Sequence, residues 1–341
     1  MVNSRHDGAD MTTMGPIAHT AARQSTTSET APSGLAHEAL IYGSDEELVD
    51  AVVPFVADGL ARSEGIVVVM PPRKTALVRE ALGPDARAVE FCDRAEFYET
   101  PARAVARVHE LGEQLVAEGA SGMRTFGEVP YEASDTSDEL GWVRYEAIVN
   151  RVFAAADQLS ACAYDERVLP DWILDTAART HHHLHTDGQR RPSDRYEDPA
   201  AVARRFAPPP PLPEGDPTFE LEVGVDQLAR IRHAIDALSR SAGISPDRAC
   251  ELAVGLNEVV SNAVEHGSDC AKVRCWHEPD RLVCEVADDG PGFDDPFAGF
   301  SPPDSEELGR RGLWLARQCF DRVELQRRGR AGLLATMAAS L

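Results

Sequence analysis

The sequence predicts two successive domains that mix helices and strands, an α/β unit followed by an α+β sandwich. Three observations carry that prediction. From about residue 35 the chain runs strand, helix, strand, helix, strand, the rhythm of a parallel sheet covered by helices. After Thr186 it turns polar and proline-rich, with Pro208-Pro209-Pro210-Pro211 at the centre, an extended and semi-rigid composition. Beyond Pro217, alternating strands bracket helix-period stretches again. With 341 residues there is enough chain for two domains with full cores. The expected boundaries are a disordered tail over 1–34, domains over 35–190 and 218–341, and a linker over 191–217.

Composition narrows the function classes. A hydrophobic content of 43% is ordinary for a soluble globular protein. The formal charge of −23 argues against direct binding to nucleic acid or to an anionic membrane surface. No apolar run approaches the length of a membrane span, and the N-terminus lacks an apolar signal core. Seven scattered cysteines without a C-x-x-C pair predict reduced thiols in a cytoplasmic protein.

The tail is rich in Ser, Thr, Gly and Ala and poor in large apolar side chains. Order is expected from His37-Glu38-Ala39-Leu40-Ile41-Tyr42, an alternating strand. Asp45 to Ser63 carries helix periodicity through Leu48, Val52, Val53, Val56 and Leu60. Ile66-Val67-Val68-Val69-Met70 is a continuous apolar run, typical of a strand buried on both faces. A helix over Thr75–Leu82 and a strand over Ala88–Cys92 follow. The turn Pro71-Pro72-Arg73-Lys74-Thr75 ends like a phosphate loop but lacks the glycines whose amides would wrap a phosphate, so nucleotide hydrolysis is not expected there. His181, His182, His183 and His185 read either as metal ligands or as exposed histidines at a helix end, and the second is the simpler reading without convergent ligands from elsewhere. Glu128, Tyr145, Glu146 and Asp165 read equally as pocket lining or as satisfied structural polars.

The second domain opens with the strand Thr218–Val223 and a helix over Gln227–Ala242, and its chemistry lies in three motifs. Asn257-Glu258-Val259-Val260-Ser261-Asn262-Ala263-Val264-Glu265-His266-Gly267 is helical, with Ala253, Leu256, Val260, Ala263 and Val264 forming an apolar stripe. Glu258 and Asn262, four apart, share a face. A carboxylate beside a carboxamide suits a hydrated Mg²⁺ and a proton acceptor near phosphate, although an acidic solvated face has the same look. Asp288-Asp289-Gly290-Pro291-Gly292-Phe293 ends the β-rich run Leu282–Ala287. Its glycines let backbone approach a flat ligand, and alone it is also an ordinary Asp-Gly turn. In Gly309-Arg310-Arg311-Gly312-Leu313-Trp314-Leu315, two glycines precede a helix start, where backbone amides and the helix dipole favour an anion.

In this order the three motifs resemble the N, G1 and G2 boxes of the GHKL ATPase superfamily, and within it the anti-sigma-factor serine kinases of bacteria. The resemblance implies a Bergerat-type α/β sandwich that binds ATP with Mg²⁺. It implies that Asn262 ligates Mg²⁺, that Asp288 recognises the adenine amine, and that Glu258 is the base activating an attacking hydroxyl. Gly290, Gly292, Gly309 and Gly312 would shape the pocket and its lid, with Arg311 and Leu313 in the same nucleotide-binding set. Thr336, in Gly332-Leu333-Leu334-Ala335-Thr336, stands where such kinases often place a threonine near the nucleotide. The implied partners are a sigma factor and an anti-sigma-factor antagonist of STAS fold, with a homodimer implied as well. A sensor histidine kinase is the rival. It requires a phosphoacceptor hairpin, and too few residues separate His233 from Asn262 to hold one. The lid between Asp288 and Gly312 is short and little chain follows it, which disfavours gyrase-like members.

The first domain resembles a second family. The opening strand, Phe97-Tyr98-Glu99-Thr100-Pro101, Arg124-Thr125-Phe126-Gly127-Glu128, Arg144-Tyr145-Glu146-Ala147-Ile148-Val149-Asn150, Cys162-Ala163-Tyr164-Asp165 and Ala177-Ala178-Arg179-Thr180-His181 are similar to the MEDS (methanogen/methylotroph sensory) domain. That resemblance implies a RecA-like α/β core with a sensory role.

Overall fold

A computed structural model describes residues 34–131, 136–186, 188–267, 269–303, 311–328 and 332–341. The tail up to residue 33 and the expected site residue Gly309, with its neighbour Arg310, lie outside the described residues.

The N-terminal half alternates strands and helices: β1 (Ala36–Tyr42), α1 (Asp45–Ala61), β2 (Gly65–Met70), α2 (Pro72–Leu82), β3 (Glu90–Asp93), α3 (Arg94–Phe97), α4 (Pro101–Ala117), β4 (Met123–Gly127), α5 (Thr136–Val152), β5 (Gln158–Asp165), α6 (Asp171–Thr180), β6 (His183–Thr186) and β7 (Gln189–Pro192). The sheet runs β3-β2-β4-β5-β1-β6-β7, parallel up to β6 and closed by antiparallel β7. The apolar run of β2 is buried on both faces: Val67 and Val69 join one core, Ile66, Val68 and Met70 the other. Helix α1 starts sharply because the Ser44 hydroxyl accepts from the Glu47 amide at 3.1 Å and Glu47 reaches back to the Gly43 amide at 2.7 Å.

The segment read as a linker is partly structured. Helix α7 (Pro199–Arg205), capped by Asp198, buries Val202 and Ala203 in the N-terminal core. Two small apolar side chains between prolines are too weak a period to reveal such a helix. Further on, the Gly215 carbonyl accepts from Trp276 Nε1 at 3.2 Å, so the proline stretch lies against the second sheet.

The C-terminal half contains β8 (Phe219–Gly224), α8 (Ala229–Ala242), α9 (Pro246–His266), β9 (Cys270–His277), β10 (Arg281–Asp288), α10 (Arg311–Cys319), β11 (Arg322–Arg327) and β12 (Leu333–Ser340). Its antiparallel sheet runs β11-β12-β10-β9-β8. The three helices cover one face, and Val273, Cys275, Cys284, Val286, Ala335 and Met337 point into that core. Cys275 and Cys284 are cross-strand partners there, with their sulfurs side by side in the core, a proximity that only strand register could reveal. The halves meet through buried and half-buried groups: Arg144 of α5 pairs with Glu324 of β11, and Arg103 of α4 donates to the Gln318 carbonyl of α10 at 3.1 and 3.0 Å. Among the described residues no helix is long and apolar enough to cross a membrane.

Candidate nucleotide site and the polar clusters of the first half

Helix α9 begins where Ser245 accepts from the Arg248 amide at 3.2 Å and Pro246 fills the first turn, whose amide is dispensable. Leu252, Leu256, Val259, Val260, Ala263 and Val264 anchor one side of it in the core. That leaves Glu258 and Asn262 half-buried on the flank toward α10. Neither forms a hydrogen bond or ion pair among the described residues.

Helix α10 closes over that flank because two glycines let the helices approach. A Cβ on Gly255 would lie 2.7 Å from Cys319 Cβ, and one on Gly312 would lie 2.9 Å from Asn262 Nδ2 and 3.0 Å from Glu258 Oε2. The first and third motifs are therefore in direct apposition. Arg311 is exposed at the first described turn of α10, and Leu313 is half-buried on the core.

The second motif joins them from the sheet. Asp288 ends β10, is 6% exposed, and accepts from the Gly290 amide at 2.8 Å through Oδ1. Gly292 has a φ of +75°, which favours glycine. A Cβ on Gly290 would fall 2.2 Å from Gly267 Cα, and one on Gly267 would fall 2.6 Å from Asp288 Cγ. The end of the α9 helix and the Asp288 turn thus share a space that admits no side chain. Gly267 and Gly332 belong to this place although the sequence reading gave neither a role. The Gly332 amide donates to the Gly290 carbonyl at 2.5 Å. For Gly267 the signal was present, since it closes the first motif.

Thr336 is a correction. It stands opposite Glu285 on β10 and Glu324 on β11, whereas Cys284, Val286 and Asp288 alternate onto the helix-covered face. Its side chain points to the other face of the sheet, buried at 2% exposure. One residue of register separates the two faces, and the loose Gly332–Thr336 run did not determine it.

Residues 221–338 match the family model of the histidine kinase-like ATPase domain, and residues 36–182 match that of MEDS, the methanogen/methylotroph, DcmR sensory domain. The chain joins a MEDS domain to a histidine kinase-like ATPase domain. The catalytic domain of the histidine kinase ThkA, in a nucleotide-free form, is similar at 15% identity, covering 36% of this chain and 97% of that one at a TM-score of 0.24. The kinase domain of the E. coli osmosensor EnvZ is similar at 18% identity, covering 38% of this chain and 92% of that one at a TM-score of 0.23. No curated protein matches the chain.

In the MEDS half, the phosphate-loop look-alike is closed by its own neighbours. Lys74 Nζ donates to Tyr42 Oη at 2.5 Å, Glu128 Oε2 at 2.7 Å and Asp165 Oδ2 at 3.0 Å. Arg94 holds the other Glu128 oxygen at 3.0 Å. Burial alone would raise the Asp165 carboxyl, but hydrogen bonds from Arg167 and Lys74 outweigh it and hold it well below the usual carboxylate range. Glu128 and Asp165 are thus satisfied structural polars, and Tyr145 packs edge-on against Tyr98 and Trp142.

The histidine run divides. His183 and His185 lie on β6 beside Glu38, with His185 Nε2 2.6 Å from its carboxylate, and His182 stacks on Tyr196. His181 is not an exposed helix-end residue: it caps α6 and is 0% exposed. A cleft of about 760 Å³ lies between the two halves, lined by Tyr98, Trp142 and Arg144 on one side and by Arg322 and Glu324 on the other, away from Glu258 and Asn262.

Proposed function

We propose that the ATPase domain binds Mg-ATP and transfers the γ-phosphoryl group to a serine or threonine of a STAS-type anti-sigma-factor antagonist. Sigma-factor availability would then follow the signal received by the MEDS half. One observation carries the proposal: Glu258, Asn262 and Gly312 converge, with the first two unpaired among the described residues, beside the Asp288–Gly290 turn.

The donor set fits Mg²⁺, because a carboxylate and a carboxamide oxygen are the hard ligands that ion takes. Asn262 would hold it, and the ion would supply charge neutralisation on the phosphate oxygens. Asp288, with Oδ1 engaged by the Gly290 amide, keeps Oδ2 to accept from an exocyclic amine. Glu258 accepts the proton of the attacking hydroxyl as its oxygen bonds to the γ-phosphorus and ADP departs with the electrons of the broken P–O bond. Catalysis of this kind is positioning and charge compensation, which requires groups free to engage the substrate. Against a histidine autokinase, His233 sits exposed on α8, a helix that packs within the ATPase domain itself, and not on a preceding hairpin. Signal transfer from the MEDS half has a physical route, since α4 and α5 contact α10 and β11 through Arg103 and Arg144.

The test is a phosphotransfer assay with the full chain, Mg-ATP and a panel of STAS-domain proteins. Phosphoserine or phosphothreonine on one of them, lost in Glu258→Ala, supports the kinase. Tight nucleotide binding without transfer to any candidate points to a nucleotide-gated module that sequesters the sigma factor. A phosphohistidine on this chain overturns the proposal.

A further inference from the structure

We propose that the MEDS half holds a divalent transition-metal ion, zinc by its donor set, on His37, Glu146, Cys162 and His181. Their ligand atoms lie within 4.8 Å of one another and all four residues are buried. The site is assembled from four places in the chain: β1 supplies His37, α5 Glu146, β5 Cys162, and the end of α6 His181. In the β1–β5 register Ala39 stands opposite Cys162, so His37 and Cys162 fall on one face of the sheet. The His182 amide donates to the His37 carbonyl at 3.1 Å, and the His37 and His181 imidazoles lie at a centroid distance of 4.1 Å.

The surrounding hydrogen bonds set the state of each donor. Asn150 Nδ2 donates to the Thr180 carbonyl at 2.6 Å and the Glu146 carbonyl at 3.1 Å, which orients its Oδ1 to accept from His37 Nδ1 at 3.1 Å. His181 Nδ1 donates to the Ala177 carbonyl at 2.9 Å. In the neutral imidazoles both Nε2 lone pairs then face inward. Tyr164 donates to Glu146 Oε1 at 2.9 Å, which leaves Oε2 facing the same point. His37 Nε2 lies 3.3 Å from that oxygen and His181 Nε2 lies 3.8 Å from it.

Neutral imidazole nitrogens against a carboxylate repel unless a cation or a shared proton sits among them, and the one thiol proton of Cys162 satisfies a single acceptor. His181 Nε2 has no hydrogen-bond partner among the described residues, although it is fully buried. The separations among His37, Glu146 and Cys162 also have the right size, with His181 slightly farther out. Bonds of about 2.0–2.1 Å to nitrogen and oxygen and about 2.3 Å to sulfur, at tetrahedral angles, place ligand atoms roughly 3.3–3.6 Å apart. Cys162 Sγ lies 3.4 Å from His37 Nε2 and 3.5 Å from Glu146 Oε2. Four protein ligands make a closed site, with nitrogen and sulfur donors that favour zinc over magnesium or calcium.

The experiment uses the full chain purified from zinc-replete cells, with the metal quantified and its neighbours read by X-ray absorption. About one equivalent with one sulfur and three lighter ligands is expected. Cobalt loaded into the chelator-treated, still folded protein should give a thiolate-to-cobalt charge-transfer band and tetrahedral visible bands. That charge-transfer band should vanish in Cys162→Ser and persist in Cys250→Ser, whose cysteine is exposed on α9. Asn150→Ala, which frees the His37 ring, should weaken binding by about 10–100-fold. A wild-type protein that neither carries nor takes up stoichiometric zinc or cobalt overturns the proposal. So does a metal without a sulfur neighbour, or a thiolate band that survives in Cys162→Ser. The wild-type measurements decide the matter even where a variant does not fold.

Discussion

The two halves each gather polar side chains into a cluster, and they use them in opposite ways. In the MEDS half Lys74, Glu128, Asp165, Arg94 and Arg167 neutralise one another where the strands of a parallel sheet end, the usual place for a ligand in such folds. In the ATPase half Glu258 and Asn262 have no partner among the described residues, and a glycine stands where any side chain would touch them. A lysine after a strand thus says little about phosphate binding until its neighbours are known. What separates a site from a structural cluster here is whether the polar groups are already satisfied.

The contrast can be broken in several ways. Asn262→Ala should abolish Mg-ATP binding by calorimetry, while Lys74→Met leaves it unchanged. Loss of affinity in Lys74→Met instead would move the nucleotide to the other half. Glu258→Ala should bind ATP within about twofold of wild type yet transfer phosphate about 10²–10⁴-fold more slowly, since it removes only the proton acceptor.

Lys74→Met should cost about 3–5 kcal/mol in urea unfolding, because it leaves Glu128 and Asp165 buried without their shared cation. An effect below about 1 kcal/mol would show the network to be as weak as a surface pair. The sign of its pH dependence follows from the depressed Asp165 carboxyl. Its stabilising contribution is present above the ordinary aspartate range and is lost as the pH falls through and below that range, so the acid limb of unfolding should flatten in the variant. Gly312→Ala should fold and lose about tenfold in ATP affinity, roughly 1.4 kcal/mol, as the new methyl displaces the ends of Asn262 and Glu258. Thr336→Val, on the far face of the sheet, should leave ATP affinity unaltered. A measurable loss there would require a different strand register from the one paired with Glu285.

Much of the fold was legible because its signals are short. The uninterrupted run Ile66–Met70 announced a strand buried on two faces, and the stripe through Leu256, Val260 and Ala263 placed Glu258 and Asn262 on one flank of a helix. Helix α7 escaped notice because its apolar signal is two small residues among prolines. Thr336 was misplaced because facing depends on pairing, not on the residue.

The sequence by itself determined the order of the elements, the MEDS and histidine kinase-like ATPase domain types and the three motifs with their spacing, since each is carried by contiguous residues obeying a period of two or 3.6. Tertiary structure alone decided which groups meet. It set Gly267 and Gly332 against the Asp288 turn, bonded Lys74 to Glu128 and Asp165, and gathered His37, Glu146, Cys162 and His181 around one point. His37 and Cys162 are 125 residues apart, and nothing local to either records the other. Their meeting follows from parallel pairing of β1 with β5 and from the return of the chain through β6, which are properties of the packed sheet.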